Sequence, residues 1–263
     1  MTRQTAGQLL MRAYLAATLI FLYLPIAVMI LMAFNASPLY ELPFDFDLIW
    51  FKALFHNEKL LASSLNSILI AIANTIIATI LGTLGAIGLN RYYFRARPLL
   101  ELLLLPPITI PWLIIGTSML IFFFWTGIGR GLHAILLGHV ALSIPYVVIV
   151  IGARLKTYGP ALEEAAATLG ANPWQTFWRV TLPVLSPGIV AAALFAFAVS
   201  FDQFVISYFL APPGTSTLPV EIYTSIRKGF TPEINAISTL IILISMGLML
   251  LVARQFRFGG DRL

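Results

Sequence analysis

The sequence predicts an all-α membrane protein: six transmembrane helices with one structured, polar helix-turn-helix loop between the fourth and the fifth. Composition is the first sign. Of 263 residues, 59% are hydrophobic and 10% charged, with a mean hydropathy of +0.92, whereas soluble domains run at about 45–50% apolar and about 25% charged. Several apolar runs also reach the roughly 20 residues needed to cross a hydrocarbon core about 30 Å thick. Finally, the basic residues fall in alternate loops, as they do when a chain crosses a bilayer repeatedly.

The spans are expected at about 13–34, 62–89, 99–125, 133–153, 187–210 and 233–253, with ends uncertain by several residues. The first run is longer than the 7–15 apolar residues of a signal core, and no small-x-small cleavage site follows it, so it is expected to stay as an anchor. The second carries Asn66, Ser67, Asn74, Thr75, Gly82, Thr83, Gly85 and Gly88, a small and polar stripe suited to close helix packing or, alternatively, to substrate contact. Pro25, Pro106, Pro107, Pro111 and Pro145 are expected to kink or interrupt their spans, because each removes a backbone donor. The fifth span holds Asp202, and the sixth leads to the basic C-terminus.

Orientation follows from Lys and Arg. Arg3, Arg12, Arg91, Arg95, Arg97, Arg154, Lys156, Arg179, Arg254, Arg257 and Arg262 all fall on one side. The opposite loops hold Lys52, Lys59, Arg130, Arg227 and Lys228, with Glu41, Asp45, Asp47 and Glu58 in the first of them. By the positive-inside rule both termini and the loop after the fourth span are cytoplasmic.

The residue inventory excludes several functions. The chain has no Cys, hence neither disulfides nor thiolate metal sites. His56, His133 and His139 stand apart without ligand spacing, and neither a phosphate-binding loop nor a nucleophile elbow is present. No metal or catalytic centre is expected. The net charge of +5 reports membrane orientation and does not call for nucleic acid.

The loop is the most informative segment. Pro160 suits the first turn of a short helix and Gly170 the left-handed position that closes it. Asn172 suits an N-cap, with Pro173 at the first helical position and Gln175 three residues on, so a second short helix starts at once and ends at Leu182-Pro183. Leu162, Ala165, Ala166 and Leu169 recur at i, i+3, i+4 and i+7 as one apolar face, able to seat in a groove on another protein. Glu164 beside it is either a partner-facing carboxylate or a solvated helix charge. Trp174, Phe177 and Trp178 are expected to pack on the membrane domain or lie at the interface.

Glu164-Ala165-Ala166, three residues, Gly170, nine residues, Val180, one residue and Leu182-Pro183 resemble the EAA loop of permease subunits of ATP-binding-cassette (ABC) importers, in its expected place before the penultimate span. The resemblance extends to Tyr23-Leu24-Pro25-Ile26, Asn66-Ser67, Leu105-Pro106-Pro107 through Gly116, Ser143-Ile144-Pro145-Tyr146, Ser200-Phe201-Asp202, Leu218-Pro219-Val220 and Thr231 to Ala236, which are similar to the spermidine/putrescine permease group of the second-permease type. It implies a type I importer fold, with 1–263 forming one permease domain and a coupling loop at about 155–186. It also implies ATPase coupling through Glu164, Ala165, Ala166, Thr168, Leu169 and Gly170. The expected partners are a second permease (a heterodimer, or this chain twice), two ATPase subunits that bind ATP and Mg, and a periplasmic or extracellular substrate-binding protein. The chain itself would carry no cofactor and no ATPase, and would reside in a bacterial inner membrane. Relatives in the group also serve opines, aminophosphonates, thiamine or ferric iron.

For the pathway, Asp202 is the leading candidate, with Phe201, Phe204, Tyr208 and Tyr146. A carboxylate at mid-membrane costs about 2.5–3.5 kcal/mol and so faces a cavity, a partner or a substrate; the alternative is a gate or helix–helix hydrogen bond. Family members commonly carry a second acid after this Asp, where this chain has Gln203. Of Glu101, Glu221 and Glu233, the first suits a snorkelling helix end, and the others flank the last outer loop, where a binding protein would dock. Three other classes fit these residues less well. A secondary transporter would need no docking helix and would show inverted repeats and ionisable relays. A membrane enzyme would need convergent catalytic groups, and a scaffold or receptor subunit would have no use for Asp202 or broken spans.

Overall fold

A computed structural model of the protein describes residues 3–38, 41–229 and 231–259, with side chains described over 7–38, 41–229 and 231–247. Arg3, Arg254, Arg257 and Arg262, used above for orientation, have side chains outside the described residues. The described chain is helical throughout its elements. In order these are α1 (Arg3–Met32), α2 (Ile49–His56), α3 (Glu58–Arg91), α4 (Arg97–Leu103), α5 (Pro106–Thr109), α6 (Trp112–Trp125), α7 (Leu132–Tyr158), α8 (Ala161–Thr168), α9 (Pro173–Thr176), α10 (Leu182–Phe201), α11 (Val205–Leu210), α12 (Leu218–Lys228) and α13 (Glu233–Gly259).

Among the described residues, Gly7–Met32, Glu58–Arg91, Leu132–Tyr158 and Pro173–Phe201 are each long and apolar enough to cross a membrane. Arg97–Thr109 with Trp112–Trp125 makes a fifth if the bent pair is one span, and Glu233–Gly247 is a shorter apolar helix.

The expected third span is therefore not a straight helix over 99–125. It bends by 111° between its halves, and the cause lies in the prolines. Ile110 is extended, at φ −79° and ψ 134°, because a residue preceding proline is pushed out of the helical region, and Pro111 then starts α6. By contrast Pro25 and Pro145 lie inside unbroken helices, so the expected interruptions there do not occur. Neither does the helix end at Leu182-Pro183. Helix runs on from Pro173 to Phe201 through a π-helical turn over Phe177–Thr181, in which the Leu182 N–H bonds the Phe177 carbonyl. The wider turn precedes Pro183, which supplies no donor of its own. The fifth span breaks instead after Phe201, and α11 resumes it at Val205.

The chain forms two compact units, Met1–Leu61 with Ile222–Leu263, and Ala62–Glu221. In the first, α1 and α2 pack on α13. The segment after α1 is organised by the buried Asn35, whose amide donates to the Glu41 carbonyl at 3.0 Å and whose Oδ1 accepts from the Asp45 N–H at 3.0 Å. Its own carbonyl accepts from the Trp50 indole at 2.8 Å.

In the second unit α7 packs along α10. One apolar core joins Ala78 and Ala86 of α3, Val147, Ile151 and Leu155 of α7, and Ala192 and Ala196 of α10. Another joins Phe123 of α6, Ile135 and Leu142 of α7, and Ile206 and Leu210 of α11. The stripe on α3 serves packing: Asn66 donates to the Ser216 carbonyl at 3.0 Å, Ser67 accepts from the Leu218 N–H at 2.8 Å, and Asn74 donates to Ser143 and to the Ala196 carbonyl, both at 3.0 Å.

A Cβ added at Gly82 would lie 2.6 Å from Val147, whereas Gly88 has open space around it. Gly82→Ala is expected to cost about 1–3 kcal/mol by overpacking and to lower the thermal midpoint of the solubilised protein. Gly88→Ala is expected to leave the midpoint unchanged or raise it, since alanine is favoured in helices by about 1 kcal/mol.

Candidate functional site

The motif loop is built to hold one helix still. At the end of α8, Gly170 adopts φ +85°, a conformation costly for residues with a Cβ. There the Ala171 N–H bonds the Ala166 carbonyl at 3.0 Å and the Gly170 N–H the Ala167 carbonyl at 2.9 Å, the two bonds of a Schellman motif. Two residues on, Asn172 Oδ1 accepts from the Gln175 N–H at 2.8 Å while Gln175 Oε1 accepts from the Asn172 N–H at 3.1 Å, a complete capping box. Both turns were legible from residue types alone.

What ties the loop to the spans was not. Arg91, at the end of α3, donates through Nε to Glu163 Oε2 at 2.8 Å and through Nη2 to the Gly159 carbonyl at 2.7 Å. The other Glu163 oxygen accepts from Thr181 Oγ1 at 3.0 Å. One carboxylate thus joins α3, α8 and the π-helical turn. The signal available in the sequence was a pair of adjacent acids beside the basic end of the second span.

With Glu163 turned inward, Glu164 is exposed. So are Leu162 and Leu169, the latter 89% exposed, while Ala166 is half-buried. Trp174 stacks on Phe177 and Trp178 meets both edge-on, with centroids 5.4–6.2 Å apart, and both indoles are exposed. Such rings suit a membrane interface.

The second feature is the break in α10–α11. Asp202 caps the C-terminus of α10, its N–H bonding the Ala198 and Ser200 carbonyls, and its side chain is exposed. A carboxylate at a helix C-terminus opposes the helix dipole, at about 0.3–1 kcal/mol, so helix stability does not account for it. Phe201 stacks on Phe197 at 5.8 Å, and Phe204 meets Tyr208 at 5.5 Å. Phe201, Asp202, Phe204 and Tyr208 therefore share the break. Tyr146 pairs instead with Phe195 at 5.2 Å, about 9 Å along the helix from Phe201 at 1.5 Å per residue.

Gln203 turns the other way. It is 1% exposed, and its Oε1 accepts the Val205 N–H at 3.2 Å, satisfying a free donor at the start of α11. Behind the break, buried His139 of α7 reaches Ser200 at 2.8 Å and Ser207 at 3.1 Å. His139 did not stand out in the sequence as part of a site, since a lone histidine in an apolar helix has no local pattern, whereas Gln203 is marked there only as a departure from the family's second acid. Glu221 is buried and accepts from Ser216 at 3.0 Å, so it is not a free outer acid. Glu101 pairs with Arg97 at 2.9 Å on an exposed helix face. Among the described residues no group of His, Asp or Glu side chains is placed to hold a metal ion.

A helical membrane chain with a rigid, presented loop between two spans and a carboxylate at a helix break is a transport permease by class. Comparison with known proteins makes this specific. Residues 75–258 match the family described as the binding-protein-dependent transport system inner membrane component, and the chain belongs to that family. It is 31% identical over 257 residues, 97% of each chain, to the spermidine/putrescine transport system permease protein PotC of Escherichia coli K12. To the putrescine transport system permease protein PotI of the same organism it is 35% identical over 230 residues, 84% of this chain and 82% of that one. Its fold matches a chain of a bacterial ABC transporter that imports the acidic polysaccharide alginate, with a TM-score of 0.74 at 17% identity over 97% of this chain and 99% of that one. The protein is a multi-pass inner-membrane permease subunit of an ABC importer, without enzymatic activity of its own.

Glu163→Gln is expected to loosen the loop without unfolding the spans. Bonds to a charged group contribute about 1.5–3 kcal/mol each, so amide hydrogen exchange over 161–170 should quicken roughly tenfold or more, with exchange in α7 unchanged.

Proposed function

We propose that the chain is one of two permeases of a polyamine importer that carries putrescine, spermidine or a related small organic cation. The observation that carries this reading is Asp202, an exposed carboxylate among aromatic rings at the break of a membrane helix. A carboxylate there offsets the desolvation of an ammonium group, and each ring contributes about 0.5–2 kcal/mol of cation–π attraction. The names of PotC and PotI support the same substrate class. Gln203 favours a second reading: the same importer class with another cargo, such as an opine, aminophosphonate, thiamine or ferric iron, because family members commonly carry an acid at that position.

In this reading the chain is a single permease domain of six spans with both termini cytoplasmic, the bent α4–α6 pair and α13 completing the count. The loop at about 155–186 is the coupling loop. Glu164, Ala165, Ala166, Thr168, Leu169 and Gly170 meet an ATPase subunit, and the exposure of Glu164, Leu162 and Leu169 on a helix tied at both ends supports this. Two such ATPases bind ATP and Mg, close, and move the coupling helices. The pathway turns outward, and an external binding protein delivers its ligand.

The test is ATP-driven uptake of labelled putrescine and spermidine into proteoliposomes holding the chain with its cognate permease, ATPases and binding protein. Glu164→Ala is expected to lower uptake about tenfold or more, the effect of removing a central interface contact, with membrane insertion intact. Asp202→Asn is expected to lower uptake while binding-protein-stimulated ATP hydrolysis persists. Uptake of neither polyamine, with hydrolysis still stimulated by a binding protein carrying another ligand, would favour the second reading.

A further inference from the structure

The break between α10 and α11 has a polar bridge behind it. Ser200 lies on the last turn of α10 and Ser207 on α11, and His139 of α7 contacts both, at 2.8 Å through Nδ1 and 3.1 Å through Nε2. All three are buried, His139 to 2% exposure, Ser200 to 4% and Ser207 to 0%. The proton positions follow from the neighbours. Ser207 Oγ donates to the Gln203 carbonyl at 2.8 Å, so its hydrogen is taken and it can only accept from the ring. The Nε2–H therefore donates to Ser207, and Nδ1, left as an acceptor, receives the Ser200 hydroxyl.

The ring can reach both serines because α7 and α11 approach closely. A Cβ on Gly138 would lie 2.7 Å from Ile206. One turn further along α7, Ser143 accepts from Asn74, which also holds the Ala196 carbonyl of α10. The stem before the break is thus fixed at two levels, and His139 is the group that also holds the stem beyond it.

We propose that His139 is a positioning residue of the translocation pathway: by bridging Ser200 and Ser207 it keeps the two halves of the broken helix at a fixed separation, so that Asp202 and Phe204 are presented as one rigid turn. Ile206 and Leu210 seat α11 against α6 and α7, and Gly131 holds its far end through the Leu210 carbonyl. At the break itself, however, the regular backbone ladder is interrupted and Gln203 secures only a single amide of α11, so the polar bridge sets the separation of the two stems there. The proposal rests on reading Asp202 as a pathway residue.

The test uses the assembled importer in proteoliposomes. The chain has no cysteine, so Phe204→Cys in a complex whose other subunits lack reactive thiols carries a single spin label at the break, and unlabelled complexes report uptake per ATP hydrolysed. Ser200→Ala and Ser207→Ala each remove one oxygen from opposite sides of the bridge, and His139→Leu removes both bonds at similar volume. Each is expected to make the label more mobile and to lower uptake per ATP roughly threefold, the size of one average hydrogen bond inside a membrane. Ser200→Ala should not add to the effect of His139→Leu, whereas Ser207→Ala also releases the Gln203 carbonyl and is compared with His139→Leu by the label spectrum alone.

An unchanged label spectrum in Ser200→Ala and Ser207→Ala overturns the bridge, and this result remains readable if His139→Leu does not assemble. An additive effect of Ser200→Ala and His139→Leu overturns it as well, since it would mean that Ser200 acts apart from the ring. If the label responds and yet Asp202→Asn alone leaves uptake at the wild-type level, the pathway reading has failed and the proposal fails with it, by a result distinct from failure of the bridge.

Discussion

In hydrocarbon no water is present to satisfy a peptide group, so every departure from helix must be covered by the protein itself. The architecture of residues 62–221 is a set of answers to that constraint. Where the third span turns, Pro111 lies in the bend, and Pro106 and Pro107 open the short helix α5 before it, so none of the three brings an N–H that would need a partner. Before Pro183 the helix widens to a π turn and keeps its bonds by reaching one residue further back. At Asp202–Phe204 neither device is available, and side chains take over: Gln203 covers the Val205 amide, Ser207 covers the Gln203 carbonyl, and His139 fastens both stems. This last departure is the one that depends on another helix, which makes α7 the reference for the whole break.

The same helix anchors the loop at its other end. Arg91 holds the Gly159 carbonyl just past the C-terminus of α7, together with Glu163 of α8. A load applied to the exposed face of α8 therefore reaches α3 through the guanidinium and α10 through Thr181, by way of short charged hydrogen bonds instead of flexible backbone. With the Schellman motif at one end of the turn and a capping box, about 1 kcal/mol for the cap alone, at the other, the loop has little internal freedom to absorb such a load. A loop intended only to connect spans has no use for that stiffness.

The features legible in the sequence were those written in local chemistry. Gly170, Asn172, Pro173 and Gln175 declare their turns by residue type, and hydrophobic length declares most spans. The helix break after Phe201 carries no proline or glycine to announce it and was read as continuous helix to residue 210. The π turn was missed for the converse reason, because Leu182-Pro183 looks locally like a stop, and the packing of α7 along α10 overrides it. Contacts between residues far apart in sequence, such as Arg91 with Glu163 or His139 with Ser200, have no local signature at all. The resemblance to a permease family points to the loop, yet it could not say which of two adjacent glutamates faces outward.

Two neighbouring pairs show how that choice is made. Consecutive helical residues differ by about 100° around the axis, so Glu163 can turn inward while Glu164 faces out, and at the break Gln203 turns inward while Asp202 faces out. Glu163 is fully engaged by Arg91 and Thr181, and Gln203 is bound through its Oε1 to the Val205 N–H while its Nε2 has no hydrogen-bond partner among the described residues. An amide suits that position at 203, because a second carboxylate pointing into the same buried site would meet a penalty of about 2.5–3.5 kcal/mol at membrane depth with no cation opposite it. Glutamine at 203 leaves Asp202 as the acid exposed at the break. On the pathway reading proposed above, Asp202 is the acid this break exposes, and one carboxylate suits one ammonium at a time. On the same proposal, the further cationic groups of a longer polyamine would be met by aromatic faces such as Phe204 and Tyr208, or by a second permease.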